Sequence, residues 1–196
     1  RVHPDVVIRC SIQAVDLILD KIDQSPEAKH SWLKRIQLLK DLYPADREYK
    51  SERENFNPIF ILKQICQLVD PPCQFVTDVG QHQMWAAQSL SFRPSDRFLT
   101  SGGMGAMGFG LPAAIGASMA CPQKVTILIT GDGSFQLNIQ ELETLRRNNL
   151  NIKIVLFNNY CHGMVRQFQE TYFSENLQST VIGYTAPDFS LVANAY

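Results

Sequence analysis

Two short runs rich in Val and Ile, Val125-Thr-Ile-Leu-Ile-Thr130 and Ile152-Lys-Ile-Val-Leu-Phe157, constrain this chain more than anything else in it. Both are apolar almost without alternation, the pattern of strands buried on two faces, and parallel strands of that kind need a crossover between them. The intervening residues supply one: Gly131-Asp132-Gly133-Ser134, then an amphipathic helix through Gln140-Glu141-Leu142-Glu143-Thr144-Leu145. A strand–helix–strand unit commits the chain to an α/β fold, a doubly wound parallel sheet with helices on both faces.

In such a unit both strands end on the same edge of the sheet, where open α/β sheets take their ligands. Asp132 ends the first run and Asn159 the second, so a carboxylate and an amide oxygen meet on adjacent strand ends. These are hard ligands suited to Mg²⁺, which keeps further positions for water and phosphate oxygens. Gly131 and Gly133 remove the Cβ atoms that would hold a diphosphate away, and Ser134 opens a helix whose free N–H groups favour an anion. A bare Gly-Asp-Gly also reads as a tight turn after a strand. The preceding strand, the following helix and the Asn158-Asn159 pair select the ligand-binding reading and resemble the thiamine diphosphate signature.

The near-neutral balance of the 196 residues, a net charge of −1, offers no electrostatic footprint for nucleic acid or an anionic membrane. The longest apolar stretch, around Leu111–Cys121, is too short to span a bilayer, and no signal peptide is visible. Five scattered cysteines (Cys10, Cys66, Cys73, Cys121, Cys161) form no Cys-x-x-Cys pair, which points to reduced thiols and a cytoplasmic setting. The chain opens on Arg1 and stops at Tyr196 inside a helical pattern, so a piece of a longer protein is expected.

Along the chain, residues 1–25 read as the tail of a preceding domain, with Ile12, Val15, Ile18, Leu19 and Ile22 on one helical face. Residues 26–56 read as a helical and charged linker: Ser25 caps, Pro26 takes the first helical position, and Trp32, Leu33, Ile36 and Leu39 share a side. The charges dense between Lys40 and Phe56 read as a solvated stretch. The compact domain is expected from Asn57-Pro58 to the end, 57–196, with a helix to Asp70 and a first strand over Gln74–Gly80. Gln81 and His82 then sit at a strand-to-helix junction on the edge that carries Asp132, either as cap and surface groups or as ligand contacts. Glycines crowd Ser101–Pro112 too densely for regular helix, so backbone must approach something there, and Met107 among them is either core filler or an apolar knob offered to a ligand.

Taken together, Gly80-Gln-His-Gln-Met-Trp-Ala-Ala87, Gly105-Ala-Met-Gly-Phe-Gly-Leu-Pro-Ala-Ala114, Gly131–Ser134, Gln140–Leu142 and Gly163-Met-Val-Arg-Gln167 resemble the acetohydroxyacid synthase (acetolactate synthase) catalytic subunit from about residue 57 onward. The resemblance implies the C-terminal, diphosphate-binding domain of a three-domain enzyme. Asp132 and Asn159 would hold Mg²⁺, with the main-chain oxygen of Cys161 as a third ligand. Gln81, His82, Gly133, Ser134 and His162 would surround the diphosphate. Met107 would bend the cofactor, and the carbonyl of Gly105 would accept from its pyrimidine amino group. Met164 and Phe168 would lie on a helix beside the metal. The implied reaction decarboxylates pyruvate and transfers the two-carbon unit to a second 2-oxo acid.

Two features qualify that inference. The glutamate that activates the pyrimidine lies, in this family, in an N-terminal domain outside this chain, so no catalytic residue is expected within it and the fragment alone should be inert. The family also usually carries Trp where this chain has Phe168, a position associated with preference for 2-oxobutyrate. A sister carboligase with another acceptor, such as a keto sugar, and a non-catalytic cofactor-binding relative are the alternatives. FAD in the central domain, a homodimer or tetramer and a regulatory subunit are further implications of the resemblance. Residues 162–185, interrupted at Tyr172, Asn176, Ser179 and Gly183, read as a lid.

Overall fold

A computed structural model describes residues 26–44, 57–70 and 72–196, so the expected first helix and most of the charged stretch lie outside the described residues. The chain divides into two compact units between Pro44 and Ala45. In the first, helix α1 (Pro26–Leu42) begins at the expected proline. Trp32, Leu33 and Leu39 on it are exposed.

The second unit runs α2 (Pro58–Leu68), β1 (Cys73–Thr77), α3 (Gln81–Ser89), β2 (Arg97–Thr100), α4 (Gly110–Ala120), β3 (Val125–Gly131), α5 (Asp132–Gln136), α6 (Glu141–Arg147), β4 (Ile152–Phe157), α7 (Gly163–Tyr172) and α8 (Phe189–Ala195). Asn57 caps α2, its Oδ1 accepting from the N–H groups of Ile59 and Phe60 at 2.9 and 3.3 Å. Pro58 follows at a position whose N–H would have no helical partner.

The four strands form one parallel sheet in the order β2-β1-β3-β4. Alternate residues of β1 and β3 feed two cores. Phe75, Ile127 and Ile129 pack with Leu62 of α2 and Ala86 of α3. Val76 and Leu128 pack with Leu111, Ala114, Ile115 and Ala117 of α4 and Leu142 of α6. Burial on both faces is why the β3 run shows no polar alternation, whereas β4, last in the sheet order, is half-buried apart from buried Phe157 and exposed Lys153. The small residues of α4 let it lie close: a Cβ at Gly110 would fall 2.9 Å from Leu128 Cδ1. Gln74 inside the sheet is matched, its Nε2 donating to the Ala117 carbonyl at 3.0 Å and to Thr126 Oγ1 at 3.2 Å, whereas the buried Thr77 hydroxyl has no partner.

Several elements differ from the sequence reading, beginning with β1, which runs Cys73–Thr77 rather than over Gln74–Gly80. The helix after β3 starts at Asp132 rather than Ser134 and lasts one turn before α6 begins. Helix α4 starts at Gly110, taking Pro112 into its first turn, where the missing N–H costs nothing. Strand β2 was not foreseen; it is a four-residue edge strand, exposed to half-buried, too short to show a period. Cys66, Cys73, Cys121 and Cys161 are free thiols, and among the described residues no helix is long and apolar enough to cross a membrane.

Candidate functional site

Strand order turns direction between β1 and β3, and the crevice outside their carboxyl ends is where a doubly wound sheet binds ligands. A cavity of about 470 Å³ opens there. Its wall is contributed by Gly80, Gln81, His82 and Trp85 after β1, Gly105 and Met107 of the glycine-rich loop, Gly131–Ser134 after β3, and Phe157–Asn159 with Cys161–Val165 after β4. Every residue singled out as a cofactor or metal ligand is therefore in this lining. Phe168 is not: it lies one turn beyond Met164, half exposed, with its ring 4.8 Å from Tyr172 and 5.7 Å from Phe173.

Pairing of Gly131 with Phe157 sets the carbon ends of β3 and β4 level, so Asp132 and Asn159 leave the sheet side by side. The turn after β4 is held by its own amides. Asn158 Oδ1 accepts from Tyr160 N at 3.1 Å, and Asn159 Oδ1 accepts from Cys161 N at 3.2 Å. Tyr160 between them is left-handed, with φ 53°, a conformation a tyrosine rarely adopts and one that the two side-chain caps impose. Asn159 Oδ1 keeps a second lone pair for a cation. Gln81 Oε1 receives Asn159 Nδ2 at 3.3 Å, linking the β1 and β4 ends.

Asp132 is 3% exposed, and among the described residues it is the only charged side chain in the lining and no Lys or Arg reaches it. A diphosphate entering alone would meet only like charge. A divalent cation on Asp132 and Asn159 reverses that sign, so the donor set fits a metal-bound diphosphate and does not fit a bare one. No three His, Cys, Asp or Glu side chains converge among the described residues, as befits a set of one carboxylate, one amide and main-chain oxygen. The close approach is built in as well. A Cβ on Gly133 would sit 2.7 Å from His162 Cε1, and one on Gly131 would sit 2.9 Å from His82 Nδ1. Gly133→Ala is expected to weaken thiamine diphosphate binding at least about tenfold by displacing His162, a loss a cofactor titration would read.

His82 is 5% exposed, and its Nε2 has no hydrogen-bond partner. A buried unpaired ring nitrogen in a cavity wall calls for a polar ligand. Burial pushes its pKa down from 6.5 to about 4, against an opposing main-chain hydrogen bond with Asp78. Below pH 6.5 the unfolded chain therefore takes up a proton that the folded chain refuses until about pH 4. Stability present above pH 6.5 is lost as pH falls through that window, by up to about 3 kcal/mol. In His82→Gln the decline in unfolding free energy between pH 7 and pH 5 should be shallower than in the parent protein; parallel declines would contradict the assignment.

Two residues of this site escaped the sequence reading. Asp78, 1% exposed, accepts three main-chain N–H groups: Val79 at 2.8 Å, Gly108 at 2.9 Å and Gly110 at 2.8 Å. It fastens the glycine-rich loop to the end of β1. Asn138 Nδ2 grips the same loop from the other side, donating to the Gly108 carbonyl at 2.7 Å. Gly108 has φ +86°, and a Cβ there would lie 2.9 Å from Asn138 Nδ2 and from Leu137 Cβ, so only glycine fits. A carboxylate at a strand's end, two residues before Gly80, was the one available clue to Asp78. Ser134 Oγ donates to the Val79 carbonyl at 2.7 Å, tying β3 to β1.

The second residue is Tyr184, in the stretch read as a lid. It donates its phenol to Asp132 Oδ2 at 3.0 Å, and its ring meets His162 edge-on at a centroid distance of 4.6 Å. Burial, and then the Asp132 carboxylate, push the phenol's pKa well above its usual value, so it remains a donor. The stretch itself is structured: His162 N–H donates to the Thr180 carbonyl at 3.1 Å, and Gln178 bridges Ile182.

Comparison with known proteins agrees with this geometry. Residues 78–196 match the family model described as "Thiamine pyrophosphate enzyme, C-terminal TPP binding domain". The chain is 41% identical over 173 residues to the acetolactate synthase isozyme 2 large subunit of Escherichia coli, covering 88% of this chain and 31% of that protein. It is 38% identical over 195 residues to the acetolactate synthase large subunit of Lactococcus lactis, covering 100% and 33%, and 37% identical over 190 residues to the chloroplastic acetolactate synthase of Arabidopsis thaliana, covering 95% and 28%. The chain thus spans about a third of the length of the curated relatives it matches. With the parallel sheet, the switch-point cavity and the Gly-Asp-Gly edge all in place, the chain belongs to the thiamine pyrophosphate enzyme family, as its C-terminal TPP binding domain.

Proposed function

We propose that this protein makes acetolactate, decarboxylating pyruvate and transferring the two-carbon unit to a second 2-oxo acid. The observation that carries the reading is the convergence, on one cavity, of segments that are far apart in the chain and match the acetohydroxyacid synthase pattern. Residues 57–196 are the diphosphate-binding domain, 26–56 the linker to it, and 1–25 the tail of a preceding domain. Asp132, Asn159 and the Cys161 carbonyl hold Mg²⁺. Gln81, His82, Gly131, Gly133, Ser134 and His162 surround the diphosphate.

Thiamine diphosphate, when bound, supplies the electron sink that decarboxylation requires. The chain's own part is to bind, orient and keep dry. Met107 and the Gly105 carbonyl, both in the lining, would orient the cofactor. Trp85, Phe157, Met164 and Val165 make the apolar wall that excludes water and strengthens each polar contact inside. The activating glutamate and an FAD site belong to domains outside this chain. A cytoplasmic homodimer or tetramer, with a regulatory subunit, completes the reading.

The test uses the full-length protein with thiamine diphosphate, Mg²⁺ and FAD, given pyruvate alone and then with equal 2-oxobutyrate, products being identified by mass. Acetolactate from pyruvate alone supports the proposal. Pyruvate consumption only with another carbonyl compound would move it to a sister carboligase, and no consumption to a non-catalytic relative.

A further inference from the structure

The Asp132 carboxylate has two oxygens, and the chain occupies one of them. Tyr184 donates to Oδ2 at 3.0 Å, with Gln136 Nε2 3.5 Å from the phenol oxygen on its other side. The contact is prepared from several directions. Gly133 leaves the space, since a Cβ there would lie 3.2 Å from the Tyr184 hydroxyl. Tyr184 N–H donates to the Val181 carbonyl at 3.2 Å, and neighbouring Thr180, 4% exposed, places its hydroxyl 2.5 Å from Gln169 Oε1. The phenol is therefore delivered to Oδ2 by a segment tied to α7, not by a free side chain. Oδ1 takes no part in this contact and is the freer oxygen to face a cation, Oδ2 keeping one lone pair.

We propose that Tyr184 is a positioning residue that sets which cation the site accepts: by holding Oδ2 it makes Asp132 a one-oxygen ligand and so favours a small octahedral ion over a larger one. The inference rests on the metal site proposed at Asp132 and Asn159. Mg²⁺ demands near-octahedral geometry at about 2.0–2.1 Å, which the narrow bite of a bidentate carboxylate distorts, whereas Ca²⁺ takes bidentate carboxylates readily at about 2.3–2.6 Å. With one lone pair of Oδ2 taken by the phenol, the two-oxygen coordination that suits Ca²⁺ is weakened, while one-oxygen coordination through Oδ1, which suits Mg²⁺, is not. The same hydrogen bond orients Oδ1, the kind of outer support whose removal weakens metal binding about 10–100-fold.

Tyr184→Phe removes the hydroxyl and keeps the ring against His162. The experiment is calorimetric titration of Mg²⁺ and of Ca²⁺ into the full-length protein with saturating thiamine diphosphate, for the parent and for Y184F, with metal-free melting curves alongside. The expected result is Mg²⁺ weakened about tenfold and Ca²⁺ weakened less or tightened, so that preference for Mg²⁺ falls at least about fivefold while the metal-free melting temperature holds. An unchanged Mg²⁺-to-Ca²⁺ ratio in Y184F overturns the role of Tyr184 and leaves the metal site standing. Loss of the preference in Tyr184→Ala but not in Y184F assigns the effect to the ring and likewise overturns it. A parent protein that binds neither cation overturns the metal site itself, and this inference with it.

Discussion

Asp132→Ala abolishes thiamine diphosphate binding instead of merely slowing turnover: affinity in the presence of Mg²⁺ is expected to drop at least about a hundredfold. Among the described residues Asp132 is the only charged side chain lining the cavity, so its loss leaves the cation with an amide and main-chain oxygen and the diphosphate with no fixed counter-charge relay. Breaking a buried charge pair by removing one partner costs roughly 3–5 kcal/mol, which is a hundredfold or more in a dissociation constant. The fold should survive, because Asp132 accepts from Tyr184 but anchors neither core. Far-ultraviolet circular dichroism would report the fold and cofactor titration the binding. Affinity within tenfold of the parent, with the fold intact, would sink the metal assignment.

Asp78→Ala is expected to destabilise the protein by about 3–5 kcal/mol and to free the glycine-rich loop. The carboxylate is buried and serves three N–H groups, two of them 30 and 32 positions away in Gly108 and Gly110. Truncation leaves those donors unmatched, at about 1–3 kcal/mol for each that stays buried, and some recover by meeting water as the loop lifts. Urea unfolding measures the first effect. The second appears as faster proteolysis within 102–109 and weaker cofactor binding, since Gly105 and Met107 ride on that loop. Asp78→Asn keeps the size and one acceptor oxygen, and belongs between the two. A stability change below about 1 kcal/mol in the alanine variant would mean that Asp78 does not hold the loop.

His82 shows how little a local pattern says about electrostatics. On sequence it was a helix-start histidine, open to being a cap, a surface group or a ligand contact. In the fold its ring is wedged where Cβ atoms on Gly80 and Gly131 would be, which buries it and depresses its pKa. Neither glycine is near the other in the chain, and the wedge exists only because β1 and β3 are neighbours. Phe168 illustrates the converse. Its helix starts just past Asn159, which placed it beside the metal site, yet the lining ends at Val165 and Phe168 turns to Tyr172 and Phe173.

What the sequence by itself determined was the sheet's kind and its reactive edge. Unalternating Val and Ile runs favour parallel strands covered on both faces, as β3 is, and the crossover length between Gly131-Asp132-Gly133 and Asn158-Asn159 puts both on one edge. Those are short-range rules, acting within a strand, a turn or one crossover. The tertiary structure alone decided which oxygen of Asp132 is left for a ligand, what anchors the glycine-rich loop, where β2 pairs and which face of α7 meets the cavity. Each of these depends on hydrogen bonds or contacts between residues that only the packed sheet brings together, such as Asp78 with Gly110 and Tyr184 with Asp132. Their partners carry no periodic signal, because a single polar contact repeats nowhere along the chain.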